Sequence, residues 1–329
     1  MELVEILKTL TAAFGPAGCE GEVADAIEAL ARPYADEITR DALGSLICHK
    51  KGGGPKVMFA AHMDSLGLAV THIEQEGFLR VGALGSVTPA HALFAPVRFQ
   101  NGTAGLVAAD GDDPKLHQLY VDIGAASAQE AGALVRVGDA AVFDLPLRGS
   151  AGRVISPCLD GRLGCAVLLL AMEKLGRTDN DLWFVFTVQE EVGQRGAVTA
   201  AYAVAPDYGI AVDVTGSCDV PGSGHGCSSA LGKGAAIKVM DGSVICHPRV
   251  VAKLRSLAEE RNIPFQMDVQ RAGSSEAGPI HRSLGGVCAG GISVPCRYGH
   301  TPAALADLGD AAACAELVRA FAEAELERV

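Results

Sequence analysis

Two adjacent carboxylates, Glu190 and Glu191, close an apolar run in the stretch 182-LWFVFTVQEEVGQRGA-197. The run from Leu182 to Val188 reads as a buried strand, and the acids arrive where that strand ends. One acid at a strand end is ordinary. Two in a row, ahead of Gly193 and Gly196, point to a sharp turn that presents charge to something. Taken alone the pair is a solvated loop, because most charged side chains lie at the surface. The rest of the chain changes that balance.

Five further residues sit where strand or helix patterns begin or end. In 58-MFAAHMDSLG-67, His62 and Asp64 finish a buried strand two positions apart, so their side chains point the same way. That spacing lets a carboxylate orient an imidazole from behind, as metal-binding histidines require. Asp160 opens a helix after 155-ISPCL-159, Asp213 lies in the apolar strand 208-YGIAVDV-214, and His300 stands in 297-RYGHTP-302. Each has an ordinary role to set against a chemical one. Asp160 is a good helix N-cap, and a single histidine is usually a satisfied polar residue. Asp213 is harder to dismiss, because a buried, unpaired carboxylate costs several kcal/mol, so it wants a cation. In open α/β sheets the carboxyl ends of the strands line one crevice, so these groups converge if the sheet is of that kind. Two imidazoles and at least three carboxylates in one crevice need positive charge, and no Lys or Arg cluster accompanies them. Metal is the simplest counter-charge.

These residues need a scaffold, and the chain can build a large one. Its 329 residues, 49% hydrophobic and 20% charged, describe a folded chain of one large or two unequal domains. A net charge of −12 without a basic run excludes nucleic acid and anionic membranes as expected partners. The opening MELVEILKTLTAAFG alternates like an amphipathic helix and lacks a signal-peptide core. The longest apolar run, Cys165 to Met172, is far short of the ~20 residues that span a bilayer. The ten cysteines are scattered without a Cys-x-x-Cys pair, which predicts reduced, mostly buried thiols in a cytoplasmic protein and argues against a zinc-thiolate site. The glycine-rich 222-GSGHGCSS-229 and 232-GKGAA-236 fit neither a Walker nor a dinucleotide spacing.

Helix and strand patterns alternate in the first sixty or so residues and again from about residue 155. Val23, Ile27 and Leu30 share a helical face, and 57-VMFAAHM-63 is a buried strand. After Asp160 the order is helix 163–176, strand 182–188, a helix near 195–204, strand 208–214, a helix opened by Pro248, strand 264–270 and a helix over 311–327. This predicts an α/β fold, a mixed sheet flanked by helices. The middle, 68–152, differs: a hairpin signal at Gln100-Asn101-Gly102-Thr103, further strand from Val135 to Leu147 around Gly138-Asp139, and a capping box at 127-SAQE-130. It reads as a small β-rich domain inserted into a larger one made of 1–67 and 153–329. Its short strands leave edges that must be paired or covered, and a partner subunit is one cover.

The sequence resembles the metallopeptidase family 42 enzymes, which include glutamyl, deblocking and tetrahedral (TET) aminopeptidases and the "cellulase M" proteins. The resemblance runs nearly end to end. It is carried by 61-AHMD-64, 121-VDIGA-125, 159-LDGRLG-164, 187-TVQEEVGQRGA-197, 213-DVT-215 and 300-HTP-302, in the family's order and approximate spacing. It implies a two-metal aminopeptidase acting on short peptides, with Asp160 bridging the ions, His62 and Asp213 on one, and Glu191 and His300 on the other. It gives Glu190 the role of general base and Asp64 that of the carboxylate supporting His62. Oxygen and imidazole ligands without thiolate suit zinc, with cobalt or manganese as substitutes. It also implies that the inserted domain builds homo-oligomers, first dimers and then a hollow twelve-subunit tetrahedron.

Three positions depart from the family pattern: Ser65 where Glu is common, Ala304 where an acid usually follows His-Ser-Pro, and Gly273-Ser274-Ser275-Glu276 in place of a Gly-Thr-Asp element. None is an implied ligand, so they bear on the substrate side chain and on the strength of peptidase activity. Two readings stand beside the aminopeptidase: a two-metal deacylase of a small N-acylated compound, and a binding or assembly relative that has lost turnover. A glycosidase using Glu190 and Glu191 as its acid pair is disfavoured, because those groups must flank the substrate about 5–9.5 Å apart and it would leave the histidines unexplained.

Overall fold

The structure is a computed structural model that describes residues 1–111, 113–224 and 226–328. Its main sheet is mixed and centres on the strand Lys56–His62, which pairs in parallel with Asp181–Thr187 on one side and Tyr208–Gly216 on the other. Tyr208–Gly216 pairs in parallel with Cys288–Arg297, and Ala235–Met240 and Phe265–Val269 extend the sheet beyond that strand. Antiparallel strands complete the two sides, Glu37–Arg40 and Leu46–Lys50 at one, Ala304–Asp307, Arg153–Ser156 and Arg148–Ser150 at the other.

Alternation along the central strand builds a core on each face of the sheet. Val57, Phe59 and Ala61 pack with the helices Leu3–Ala12, Gly21–Ala31, Leu159–Glu173 and Leu308–Glu323. Met58 and Ala60, one residue out of phase, pack with Arg195–Val204 and Ala277–His281 on the opposite face. Because four central strands run parallel, their carboxyl ends open on one side of the sheet. The register sets His62 level with Thr187, and Asp213 level with Ser293.

Six strands between Gly67 and Phe143 form a closed barrel with a core of its own, including Leu68, Val70, Phe99, Val107 and Phe143. The hairpin signal is one of its turns, joining Pro96–Phe99 to Ala104–Ala109, and Ser127 caps the helix Ala128–Leu134. The strand expected over 135–147 is shorter, Ala140–Phe143, because Gly138 with φ of 95° turns the chain just before it. Closure also removes the argument from open edges: the barrel pairs its strands with one another and leaves none to cover.

The expectation of reduced cysteines fails at one pair. Cys218 and Cys227 form a disulfide where the glycine-rich loop doubles back, with the Cys218 amide donating to Ser229 O and Cys227 bridging Gln270. The other eight are free, and all but Cys19 are buried.

Candidate active site

The site is built where the parallel strands end. After Thr187 the chain turns through Gln189, a non-glycine residue with φ of 56°, so that Glu190 and Glu191 leave the strand direction. Two buried carboxylates hold this turn by its backbone. Glu20 accepts the Gln189 amide at 3.0 Å, while Asp64 accepts the amides of Glu190 at 2.9 Å and Glu191 at 3.0 Å. Gly196 is required here, since a Cβ on it would lie 2.7 Å from the backbone of Val188.

Asp160 does not act as a helix cap. With ψ of 117° it interrupts the helix Leu159–Glu173, and Gly161, with φ of 46°, lets the backbone pass against His62, where any Cβ would lie 2.4 Å from His62 O. Arg162 then anchors this segment. Wholly buried, it donates to Met63 O, Leu10 O and Gly15 O, tying the helix start to the end of the His62 strand and to the N-terminal helix.

These turns bring all seven expected residues to one place. His62 Nε2 lies 3.2 Å from Asp160 Oδ1 and 3.4 Å from Asp213 Oδ1. His300 Nε2 lies 3.3 Å from the other Asp160 oxygen and 3.6 Å from Glu191 Oε2. Two triads result, His62 with Asp160 and Asp213, and Asp160 with Glu191 and His300, each with its donor atoms within 4.8 Å of one another. Asp160 belongs to both. Glu190 lines the same cleft of about 610 Å³. Asp64 Oδ1 is 3.4 Å from His62 Nδ1, yet that nitrogen makes no hydrogen bond, and Glu191 Oε1 is likewise buried without a partner. Buried, unpartnered atoms inside a ring of oxygen and imidazole donors fit a divalent cation.

Charge distribution tells the same story. Burial works to lower the pKa of His62, but Asp213, Asp160 and Asp64 outweigh it and hold the imidazole well above its usual range. Asp160 is opposed by burial, yet the hydrogen bonds of His300 and His62 keep it far below the carboxylate range. His300 is raised to about 9 by the same bond to Asp160. Burial raises Glu190 to about 7 and, with the nearby Asp160, lifts Glu191 well above its ordinary value. Glu191 held neutral beside two imidazoles held charged marks a site short of positive charge, which divalent cations would supply.

Four contributors carried no sequence signal strong enough to find. Glu20 and Arg162 act on backbone far away in the chain, and a lone charged residue in a helical pattern reads as surface. Glu276 is 2% exposed, with Oε1 at 2.5 Å from the Thr187 hydroxyl, and burial pushes its carboxyl up to about 8. Only its departure from the family pattern marked it. Lys238 sits at the cleft wall, buried against Asp268.

The M42 glutamyl aminopeptidase family model matches residues 44–317, most of the chain. The protein belongs to this family. A putative aminopeptidase of Acetivibrio thermocellus is 45% identical to this M42 chain over 316 residues, 94% of the chain and 95% of the relative. An aminopeptidase from the archaeon Desulfurococcus kamchatkensis superposes with a TM-score of 0.94 at 39% identity, covering 98% of this chain and 94% of that one. The TET1 peptidase of Pyrococcus horikoshii, which can assemble into a tetrahedron or a large octahedral shell, matches with a TM-score of 0.88 at 31% identity, covering 98% and 99%. As an M42 member the chain is an aminopeptidase-type hydrolase, and its mixed sheet with a closed barrel is the architecture of these neighbours. Among the described residues no helix is long and apolar enough to cross a membrane.

Proposed function

We propose that this M42 enzyme removes N-terminal residues from short peptides at a site for two divalent cations, zinc or in its place cobalt or manganese. The observation that carries the reading is the placement of Asp160, whose two carboxylate oxygens face separate His-carboxylate triads. His62 and Asp213 would hold one ion, Glu191 and His300 the other, and Asp160 both. Bound ions would polarise the scissile carbonyl and make water acidic enough to attack near neutral pH.

The remaining work falls to the chain itself. Glu190, in the same cleft and next in sequence to a proposed ligand, takes the proton of the attacking water and returns it to the departing amine. Asp64 positions both partners: it faces His62 Nδ1 and fixes the backbone of Glu190 and Glu191. Thr187, level with His62 where the strand ends, donates to the buried Glu276 carboxyl.

The proposal extends to domains and assembly. Residues 1–67 with 153–329, together with the strand Arg148–Ser150 of the same sheet, form the catalytic unit, and the rest of 68–152 an assembly unit whose exposed Phe94 and Val137 suit a subunit contact. The protein then works in the cytoplasm as a dimer or a twelve-subunit shell, without nucleic acid or membrane partners. Light scattering across dilutions that returns one subunit's mass would remove the assembly and leave the chemistry standing.

Metal analysis beside a panel of aminoacyl-amide and N-acyl-amino acid substrates tests the central claim. Two equivalents of metal, with aminoacyl-amide turnover that a chelator abolishes, are expected. Cleavage confined to the N-acyl compounds would make the enzyme a deacylase. An empty site in zinc-supplemented protein would leave a binding relative.

A further inference from the structure

Beyond the metal ligands, the cleft wall carries a second polar cluster that catalysis does not use. Lys238 lies in Ala235–Met240, level with Gly291, and Ala236 beside it is level with Ser293, which is itself level with Asp213. Cross-strand partners share a face, so Lys238 and Asp213 stand on the same side of the sheet, their strands about 10 Å apart across two spacings. Gly291 leaves room for the lysine stem, which a Cβ there would crowd at 3.1 Å.

The cluster's unused hydrogen-bonding capacity is specific. Lys238 Nζ donates to Asp268 Oδ2 at 2.7 Å, and Asp241 is 3.9 Å away, too far for a hydrogen bond. Two of its three N–H groups therefore have no partner among the described residues. Asp268 accepts from Thr215, Gln270 and Lys238, and Asp241 takes four hydrogen bonds from Ser243, Val244 and Ser275. Gln270 is held with its nitrogen toward Gly216 O and Asp268 Oδ1, which leaves its amide oxygen without a partner among the described residues. Lys238 and Gln270 both line the cleft. One wall thus offers a buried donor and an acceptor.

We infer that this wall is the pocket for the substrate's N-terminal side chain and selects a carboxamide, glutamine or asparagine. The inference rests on the aminopeptidase reading. An aminopeptidase admits one residue on the amine side of the scissile bond, and Lys238, 4% exposed, marks the closed end of the cleft, while Tyr298 and His300 mark the open one. A carboxamide accepts from Lys238 and donates to Gln270. A carboxylate would add negative charge to a cluster that already sets Asp241 and Asp268 against one lysine. An ammonium would face the like charge of the Lys238 ammonium, with only the Gln270 oxygen to accept from it. An apolar side chain strands the lysine N–H groups away from water.

The test uses the metal-loaded full-length protein with glutaminyl, glutamyl, leucyl and lysyl anilides. Glutaminyl anilide is expected to lead in kcat/KM by about ten-fold or more, as sites built around a substrate hydrogen bond discriminate. Lys238→Met should lower the glutaminyl-to-leucyl ratio by a similar factor. Since that change leaves Asp268 and Asp241 buried without a cation, Lys238→Met with Asp268→Asn provides a variant that keeps the cluster's net charge and should show the same ratio. Faster leucyl, lysyl or glutamyl cleavage by the unaltered enzyme, or an unmoved ratio in both variants, overturns the assignment. Calorimetric titration with free glutamine, glutamate and leucine separates this idea from the catalytic one. Tighter glutamine binding, lost in the variants, supports the pocket even where no anilide turns over; equal binding of all three overturns it.

Discussion

Asp64 accepts the backbone amide of Glu190 at 2.9 Å with one oxygen and that of Glu191 at 3.0 Å with the other. The same side chain faces His62 Nδ1 at 3.4 Å, so one carboxylate positions a proposed ligand on each side and the proposed base between them. Asp64→Asn keeps the shape but turns an NH2 toward one of these N–H groups. Metal affinity should fall about 10–100-fold, as for other residues that orient ligands. Unchanged affinity with an unchanged rate would remove the positioning role.

Glu190 and Glu191 are neighbours with separate duties. Glu190→Gln should lower kcat by about two orders of magnitude or more while both metals stay bound, because it removes proton transfer and spares coordination. Loss of metal from this variant would make Glu190 a ligand instead.

Asp160 faces both triads, so its replacement should be felt at both. Asp160→Asn is expected to weaken the two metal sites together in equilibrium dialysis. Loss of one ion with full retention of the other would mean that the carboxylate serves a single site.

Glu276 supplies a pH signature separate from catalysis. Burial raises its carboxyl from 4.5 to about 8, so the fold favours the neutral form. That contribution is complete below about pH 4.5 and is lost as pH rises through about 8. Glu276→Gln should therefore match the parent near pH 5 and exceed it near pH 9, by on the order of 3–5 kcal/mol at about 1.4 kcal/mol per unit. Melting curves of metal-stripped protein at the two pH values measure this. Equal melting at pH 9 would show that the carboxylate is solvated.

Much of this was legible because local pattern and chemistry coincide. The apolar runs 57–63, 182–188 and 208–214 marked strands with charge in or just after their carboxyl ends, and a charged residue on a buried strand has few inexpensive explanations. The order of those motifs along the chain also carried the family, which the match over residues 44–317 bears out. Contacts between distant segments were another matter. Glu20 meets Gln189, Arg162 meets Leu10 and Met63, and Glu276 meets Thr187, each across a separation that no periodicity records. Gly161 looked like one glycine among many until the backbone of His62 was packed against it. The closed barrel and the Cys218–Cys227 pair were hidden for the same reason. A sequence determines which residues are worth burying and which chemistry they can perform, because both follow from side-chain type and local spacing. Which carboxylate holds which backbone amide is decided only when the strands have found their register, because a hydrogen bond is won or lost over distances of less than an ångström.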